Sequence, residues 1–304
     1  MQFKRIKRNI NGVLLLDKPV GYSSNQALQV AKRLFTAAKA GHTGNLDPFA
    51  TGLLPVCFGE ATKFSHRLLD ADKTYFATLK LGVTTNTGDT EGEVTSRSEV
   101  NVSQADFEAE MHSFLGEIQQ TPPMHSALKF QGKPLYEYAR AGVEIERKSR
   151  PVTIYDIALN HFSGDQAAFN VTCSKGTYIR VLAEDIGKVL GCGAHLIGLR
   201  RTSTGGFSLE NALTLETLEK LSQAERDATL LPVDALVSDL PEIELDTESA
   251  HYFCQGQAVW KSGIQYLGMM RVYAPQRQFM GLGENLGDGQ ISPRRIVASP
   301  TAND

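Results

Sequence analysis

The chain has 304 residues, 41% of them hydrophobic and 21% charged, and a net charge of −3 at pH 7. This is the composition of an ordinary globular protein, and the length predicts one large domain with a smaller one. No apolar run approaches the roughly 20 residues that cross a bilayer. The basic opening at residues 1–8 is followed only by the short apolar run 13–16, too little for a signal-peptide core, so a cytoplasmic protein is expected.

Residues 12–16 read as a short buried strand, and Tyr22-Ser23-Ser24 as a turn with a helix N-cap. Ala27, Val30, Ala31 and Leu34 then mark an amphipathic helix that stops before Gly41. Residues 41–52, GHTGNLDPFATG, hold three glycines and a proline, which predicts an irregular loop. From Lys73 to Val83, alternation places Tyr75, Ala77, Leu79 and Leu81 on one side of a half-buried strand. Residues 88–92 read as a turn, and Ser103 with Asp106 as a capping box ahead of a helix bearing Phe107, Met111, Phe114 and Leu115.

Residues 121–151 set Lys129, Lys133, Arg140, Arg147, Lys148 and Arg150 against three glutamates, with Phe130, Tyr136 and Tyr138 interleaved. Basic and aromatic side chains together suit RNA, although a solvated surface hairpin has the same composition. Another strand is expected at 169–174. The helix after it carries Ile179, Leu182, Ala183 and Ile186 on one face, with Thr177 as N-cap and Arg180 in the first turn. A cation is poorly placed at the positive end of a helix dipole, so Arg180 calls for an anionic partner unless it extends into water.

Residues 209–250 hold 11 acidic side chains against Lys220 and Arg226, with a helical pattern at 213–221. The acidity is therefore segregated, and the body at 1–208 is modestly basic, which leaves a phosphate backbone open as a partner. Short β-like runs separated by glycines follow, and residues 299–304 read as a disordered tail. Cys57, Cys173, Cys192 and Cys254 sit at no metal or redox spacing and the seven histidines form no i, i+4 pair, so buried reduced thiols and no metal are expected.

Six segments in one order, NGVLLLDKPVGYSS, GHTGNLDPFATGLLPVCFGEATK, DKTYFATLKLG, TPPMHSALKFQGKPLYEYARAG, KGTYIRVLAEDIG and LRRTSTGGF, resemble the TruB family of bacterial tRNA pseudouridine synthases. The resemblance implies an α+β fold with a central mixed, mainly antiparallel sheet flanked by helices. Residues 1–248 would form the catalytic domain, with a thumb-loop insertion at about 121–151, and 249–304 a small β-rich PUA-like RNA-binding domain. It implies isomerisation of the T-arm loop uridine 55 of tRNA, with base flipping and no cofactor, by a monomer that needs no protein partner.

Taken alone, Asp47 before Pro48 reads as a turn initiator. The resemblance makes it the catalytic carboxylate, able to attack or to stabilise charge on the sugar. Arg180 is then its partner, lowering the carboxyl pKa, and Tyr75 stacks on the target base and takes part in proton removal. His42 positions the loop, Leu199 is an apolar wall, and Lys18 and Lys63 resemble basic residues near the RNA backbone or the active-site wall. Lys129, Lys133 and Arg140 belong to the RNA thumb. A tRNA-folding chaperone with little catalysis is the alternative, and a two-carboxylate glycosidase using Asp89 or Glu91 is a second.

Overall fold

The computed structural model describes residues 6–298, so the expected disordered tail at 299–304 lies outside the described residues. One large sheet organises the first four-fifths of the chain. From one edge its strands run Leu213–Thr214, Gly12–Lys18, Thr51–Phe58, Ala194–Thr204, Lys73–Leu81, Gln166–Cys173, Arg150–Ser163 and Gly116–Gln120. Only two of these neighbours are parallel, Gly12–Lys18 with Leu213–Thr214 and Thr51–Phe58 with Ala194–Thr204. The sheet is mixed and mainly antiparallel, as expected.

Alternation decides what covers each face. Tyr75, Ala77, Leu79 and Leu81 point with Phe169, Val171, Leu196 and Leu199 into one core, under the helices Ser24–Leu34, Gln104–His112 and Ile179–Val189. The strands Gly12–Lys18 and Thr51–Phe58 are buried on both faces. Leu14 and Leu16 join this core, while Val13 and Leu15 enter a second one with Leu53, Phe64, Val237 and Leu282. That is why residues 13–16 read as an unbroken apolar run rather than an alternating one.

The local signals place the helices with small shifts. Ser23 and Gln26 form a reciprocal capping box for the first helix, as do Ser103 and Asp106 for the Gln104–His112 helix. That helix ends at His112, so Phe114 packs against the core from beyond it and Leu115 is exposed. Thr177 is not the cap of the Arg180 helix. Its hydroxyl turns back to the Ser174 carbonyl, 2.9 Å away, and Tyr178 takes the N-cap position. Cys57, Cys173 and Cys192 are buried, but Cys254 is exposed.

A second sheet runs Glu242–Glu244, Gly268–Ala274, Gln278–Asn285, Gln290–Ile296 and Val259–Trp260, with the helix Thr247–Cys254 against it. Its first strand lies ahead of the boundary expected at 248/249, because Ile243 pairs with Val272. This small unit leans on the large one. Leu282 shares a buried cluster with Val13, and the Phe64 and Phe279 rings lie 5.7 Å apart. Lys63 belongs to this seam, donating to Glu60 at 2.6 Å and to the Ile296 carbonyl at 2.9 Å.

Residues 41–52 are more ordered than their composition suggests. Ala40–His42 is a strand antiparallel to Thr51–Phe58, so only 43–50 is irregular. The loop re-enters the sheet at Gly52, which has φ +103° because a Cβ there would lie 2.3 Å from the Arg201 carbonyl oxygen. Gly52→Ala is expected to lower the unfolding free energy by at least about 1–3 kcal/mol, read as a lower urea midpoint. An unchanged midpoint would show that the two strands are free to separate there.

Candidate active site

The irregular segment 43–50 carries Asp47, and three buried side chains fix it from beneath. Ser24, the first residue of its helix, donates to the Leu46 carbonyl at 3.1 Å and accepts from the Leu46 amide at 2.7 Å. Lys18 is wholly buried and donates to the carbonyls of Pro19, Tyr22 and Pro48, at 2.9, 2.6 and 3.4 Å. Arg201, 1% exposed, donates to the Leu53 carbonyl at 2.7 Å and reaches those of Gly44 and Asn45 at 3.4 and 3.5 Å. Loop carbonyls that would otherwise face water are thereby satisfied inside the protein.

Lys18 is thus a clamp on the loop, behind the wall of the site. Burial pushes its ammonium down to about 8, against the pull of Asp47. Lys63, committed to the seam, makes no hydrogen bond or ion pair with the Asp47 loop.

Arg180 comes from the helix behind. Its Nε lies 2.9 Å from Asp47 Oδ2 and 3.6 Å from Asp89 Oδ2. Its Nη1 donates to the Thr87 carbonyl at 2.9 Å and its Nη2 to the His125 carbonyl at 2.8 Å. All three nitrogens are engaged, which fixes the plane of the guanidinium. Asp89 is fixed too, accepting from the Thr87 hydroxyl at 2.5 Å and the Glu91 amide at 2.9 Å.

Accessibility separates the two carboxylates. The Asp89 side chain is 3% exposed and that of Arg180 4%, whereas 37% of the Asp47 side chain is open. Asp47 is thus the carboxylate that a ligand can reach. The protein still crowds its other sides, and burial raises its pKa. Arg180 and Lys18 act in the opposite sense, and Asp89 adds to the rise. This corrects the expectation that Arg180 brings the carboxyl below its ordinary value: desolvation outweighs the guanidinium.

Tyr75 and Leu199 stand on the same inward face of adjacent strands, Tyr75 opposite Arg201 and Leu199 opposite Ala77. Burial raises the Tyr75 phenol, with Arg201 alongside it opposing the rise. His42 ends the strand leading into the loop. Its Nδ1 is buried with no partner, and burial followed by Arg201 lowers its pKa, so the imidazole is neutral.

The basic segment stands apart. Lys129–Phe130 and Lys133–Pro134 form a hairpin that leads into the helix Leu135–Arg140. Lys133 lies over the Tyr138 ring at 5.1 Å and Arg140 over the Tyr136 ring at 5.4 Å. Lys129, Lys133 and Arg140 are exposed, and none is within ion-pair distance of Asp47.

Ser24, Lys18 as a clamp, Asp89 and Arg201 were not singled out as supports by sequence reasoning. Arg201 had left a signal: it shares strand parity with Leu199, and a cation on an inward position needs buried acceptors. Nothing local marks Ser24, whose partner Leu46 is remote in sequence, and Asp89, held locally by Thr87 and Glu91, meets Arg180 only in the fold.

The charge arrangement has two titration consequences. Arg180→Met removes a cation that lowers Asp47, so the Asp47 carboxyl, followed by carboxyl-carbon NMR against Asp47→Asn, is expected to titrate at higher pH. No movement would place the controlling charge elsewhere. Glu184, one helical turn beyond Arg180, is pushed up to about 7 by burial, with Arg180 opposing. Its folded value lies above its unfolded one, so its contribution to stability is present below the ordinary carboxylate range and lost as pH rises through about 7. Glu184→Gln is therefore expected to gain melting temperature relative to the parent between about pH 5 and about pH 8. A constant difference would contradict this assignment.

The chain is similar to known proteins along nearly its whole length. The TruB family pseudouridylate synthase N-terminal domain matches residues 32–179, the tRNA pseudouridylate synthase B C-terminal domain residues 180–238, and the pseudouridine synthase II TruB C-terminal domain residues 241–297. A protein of Methylobacillus flagellatus named tRNA pseudouridine synthase B is 62% identical over 98% of each chain. One of the same name from Dechloromonas aromatica is 56% identical over 98% of this chain and 99% of its own. Among solved structures, a chain in the crystal structure of a Cbf5-Nop10-Gar1 complex superposes with a TM-score of 0.70 at 27% identity, covering 94% of this chain and 84% of that one. The chain belongs to the TruB family of pseudouridine synthases.

Proposed function

We propose that the protein isomerises uridine 55 in the T-arm loop of tRNA to pseudouridine, with Asp47 as the catalytic carboxylate. The observation that carries the assignment is the pairing of one solvent-open carboxylate with a buried guanidinium whose three nitrogens are all engaged. Relatives that share nearly the whole chain are named for action on tRNA.

The reaction breaks the N1–C1′ bond, turns the uracil, joins C5 to C1′ and, by exchange with solvent, moves the C5 proton to N1. It is an isomerisation, so no redox partner or group donor enters. Asp47 supplies the negative charge that meets C1′ or the uracil ring, and Arg180 fixes the direction of its lone pairs. Tyr75 and Leu199 form the apolar wall against which the extruded base rests, and His42 positions the loop at its entry. Flipping the base costs a few kcal/mol, and Lys129, Lys133, Arg140 and Phe130 on the exposed segment offset it through phosphate and stacking contacts. The PUA-like unit, residues 242–298 in this reading, holds a more distant part of the tRNA.

In this reading the enzyme acts as a monomer where its tRNA substrate is, in the cytoplasm. In this reading Lys18 and Lys63 support the loop and the seam.

Purified protein with unmodified tRNA and no added cofactor is expected to produce a carbodiimide-dependent primer-extension stop at uridine 55, and Asp47→Asn to abolish it. No stop with the parent protein, or an undiminished stop with the variant, would overturn the reading. Accelerated tRNA folding by an inactive parent would instead establish the chaperone alternative.

A further inference from the structure

The excursion of residues 121–149 leaves the large sheet at Gln120 and returns at Arg150, and these two residues face each other as partners in one antiparallel pair. Both side chains reach the turn that precedes the Arg180 helix. The Gln120 amide brackets the backbone of Tyr178: its Oε1 accepts from the Tyr178 N–H at 3.0 Å and its Nε2 donates to the Tyr178 carbonyl at 3.2 Å. Arg150 donates to the Gly176 carbonyl at 2.6 Å and lies over the Tyr178 ring at 5.5 Å.

The N-terminus of this helix has no capping side chain of its own, since Tyr178 occupies the cap position without a side-chain hydrogen bond. Two residues from the root of the excursion instead hold the backbone just ahead of the helix, Gln120 at Tyr178 and Arg150 at Gly176. A third link runs directly to the guanidinium, through the His125 carbonyl to Arg180 Nη2. The segment that displays Lys129, Phe130 and Lys133 is thus joined at its departure, at its return and within its first turn to the stretch from Gly176 to Arg180.

We propose that Gln120 and Arg150 are positioning residues for Arg180, and that through them RNA held by the 121–149 segment orders the Asp47–Arg180 pair. This rests on the tRNA-modifying function proposed above. The chemical logic is that the Tyr178 N–H, satisfied only by Gln120, fixes the first peptide of the helix. Freed from it, the backbone before Arg180 can turn, and the guanidinium shifts from Asp47. Neither residue touches the substrate. Ser126, next to His125, has a buried hydroxyl with no partner, which fits a segment whose base changes its contacts when RNA arrives.

The test compares parent, Gln120→Met and Arg150→Met under single-turnover conditions across a pH series, with tRNA binding measured in parallel by filter retention. Gln120 is 1% exposed, so circular dichroism and melting curves establish that each variant is folded; Arg150, half-buried at the start of its strand, carries the test if Gln120→Met does not fold. The expected result is a loss on the order of 100-fold in the rate at saturating tRNA, as for a misplacement of about 1 Å. Binding should stay within about twofold of the parent, less than the tenfold that 1.4 kcal/mol represents. The acidic limb of the profile should move to higher pH, because a displaced Arg180 lowers Asp47 less. A folded variant that keeps the parental rate at saturation, or that loses only tRNA affinity, would overturn the inference. An inactive parent would instead overturn the underlying function.

Discussion

One ion pair governs this molecule: Asp47 is open to solvent and Arg180 is not. A carboxylate on an irregular loop has many orientations, and a guanidinium that is itself immobile selects one of them. The rest of the large domain can be understood as two sets of supports. Lys18, Ser24 and Arg201 hold the loop, and Thr87, Asp89, His125 and Gln120 hold the arginine or the helix that carries it. The mixed topology of the sheet brings these sets together, since the parallel pairing of Thr51 with Arg200 and of Gly52 with Arg201 places the loop over the strand that supplies Arg201.

Burying Lys18 and Arg201 beside backbone carbonyls, rather than beside carboxylates, is costly in desolvation. It has a local consequence that an ordinary salt bridge lacks. Their charge is not cancelled by an acid of their own: Arg201 adds to the lowering of His42 by burial and opposes the rise of Tyr75, and Lys18 opposes the rise of Asp47. One of the cations that hold the loop, Lys18, thus also opposes the rise in Asp47 caused by burial. Structure and electrostatics come from the same residues.

Much of the fold was legible in the residues. The unbroken apolar run at 13–16 announced a strand covered on both faces, and alternation from Tyr75 to Leu81 announced one covered on a single face. Ser23 and Ser103 announced helix starts because capping boxes are local. The cap of the Arg180 helix was misread at Thr177, since its real support, Gln120, lies 58 residues away. The awkward charge of Arg180 in a first turn demanded an anion; the family resemblance, not the local pattern, named Asp47, and the sheet brings the two together. The clamping role of Lys18 was not legible: a lysine normally reaches water, and the sequence does not show three carbonyls closing over it.

The central claim is that geometry, and not charge alone, makes Arg180 the partner of Asp47. Arg180→Lys keeps a positive charge while giving up the planar fork that spans Asp47, Thr87 and His125. The direct measurement is the single-turnover rate of uridine 55 conversion at saturating tRNA for this variant. A loss on the order of 100-fold is predicted, whereas a rate within about twofold of the parent, far short of the tenfold that 1.36 kcal/mol of barrier represents, would contradict the account.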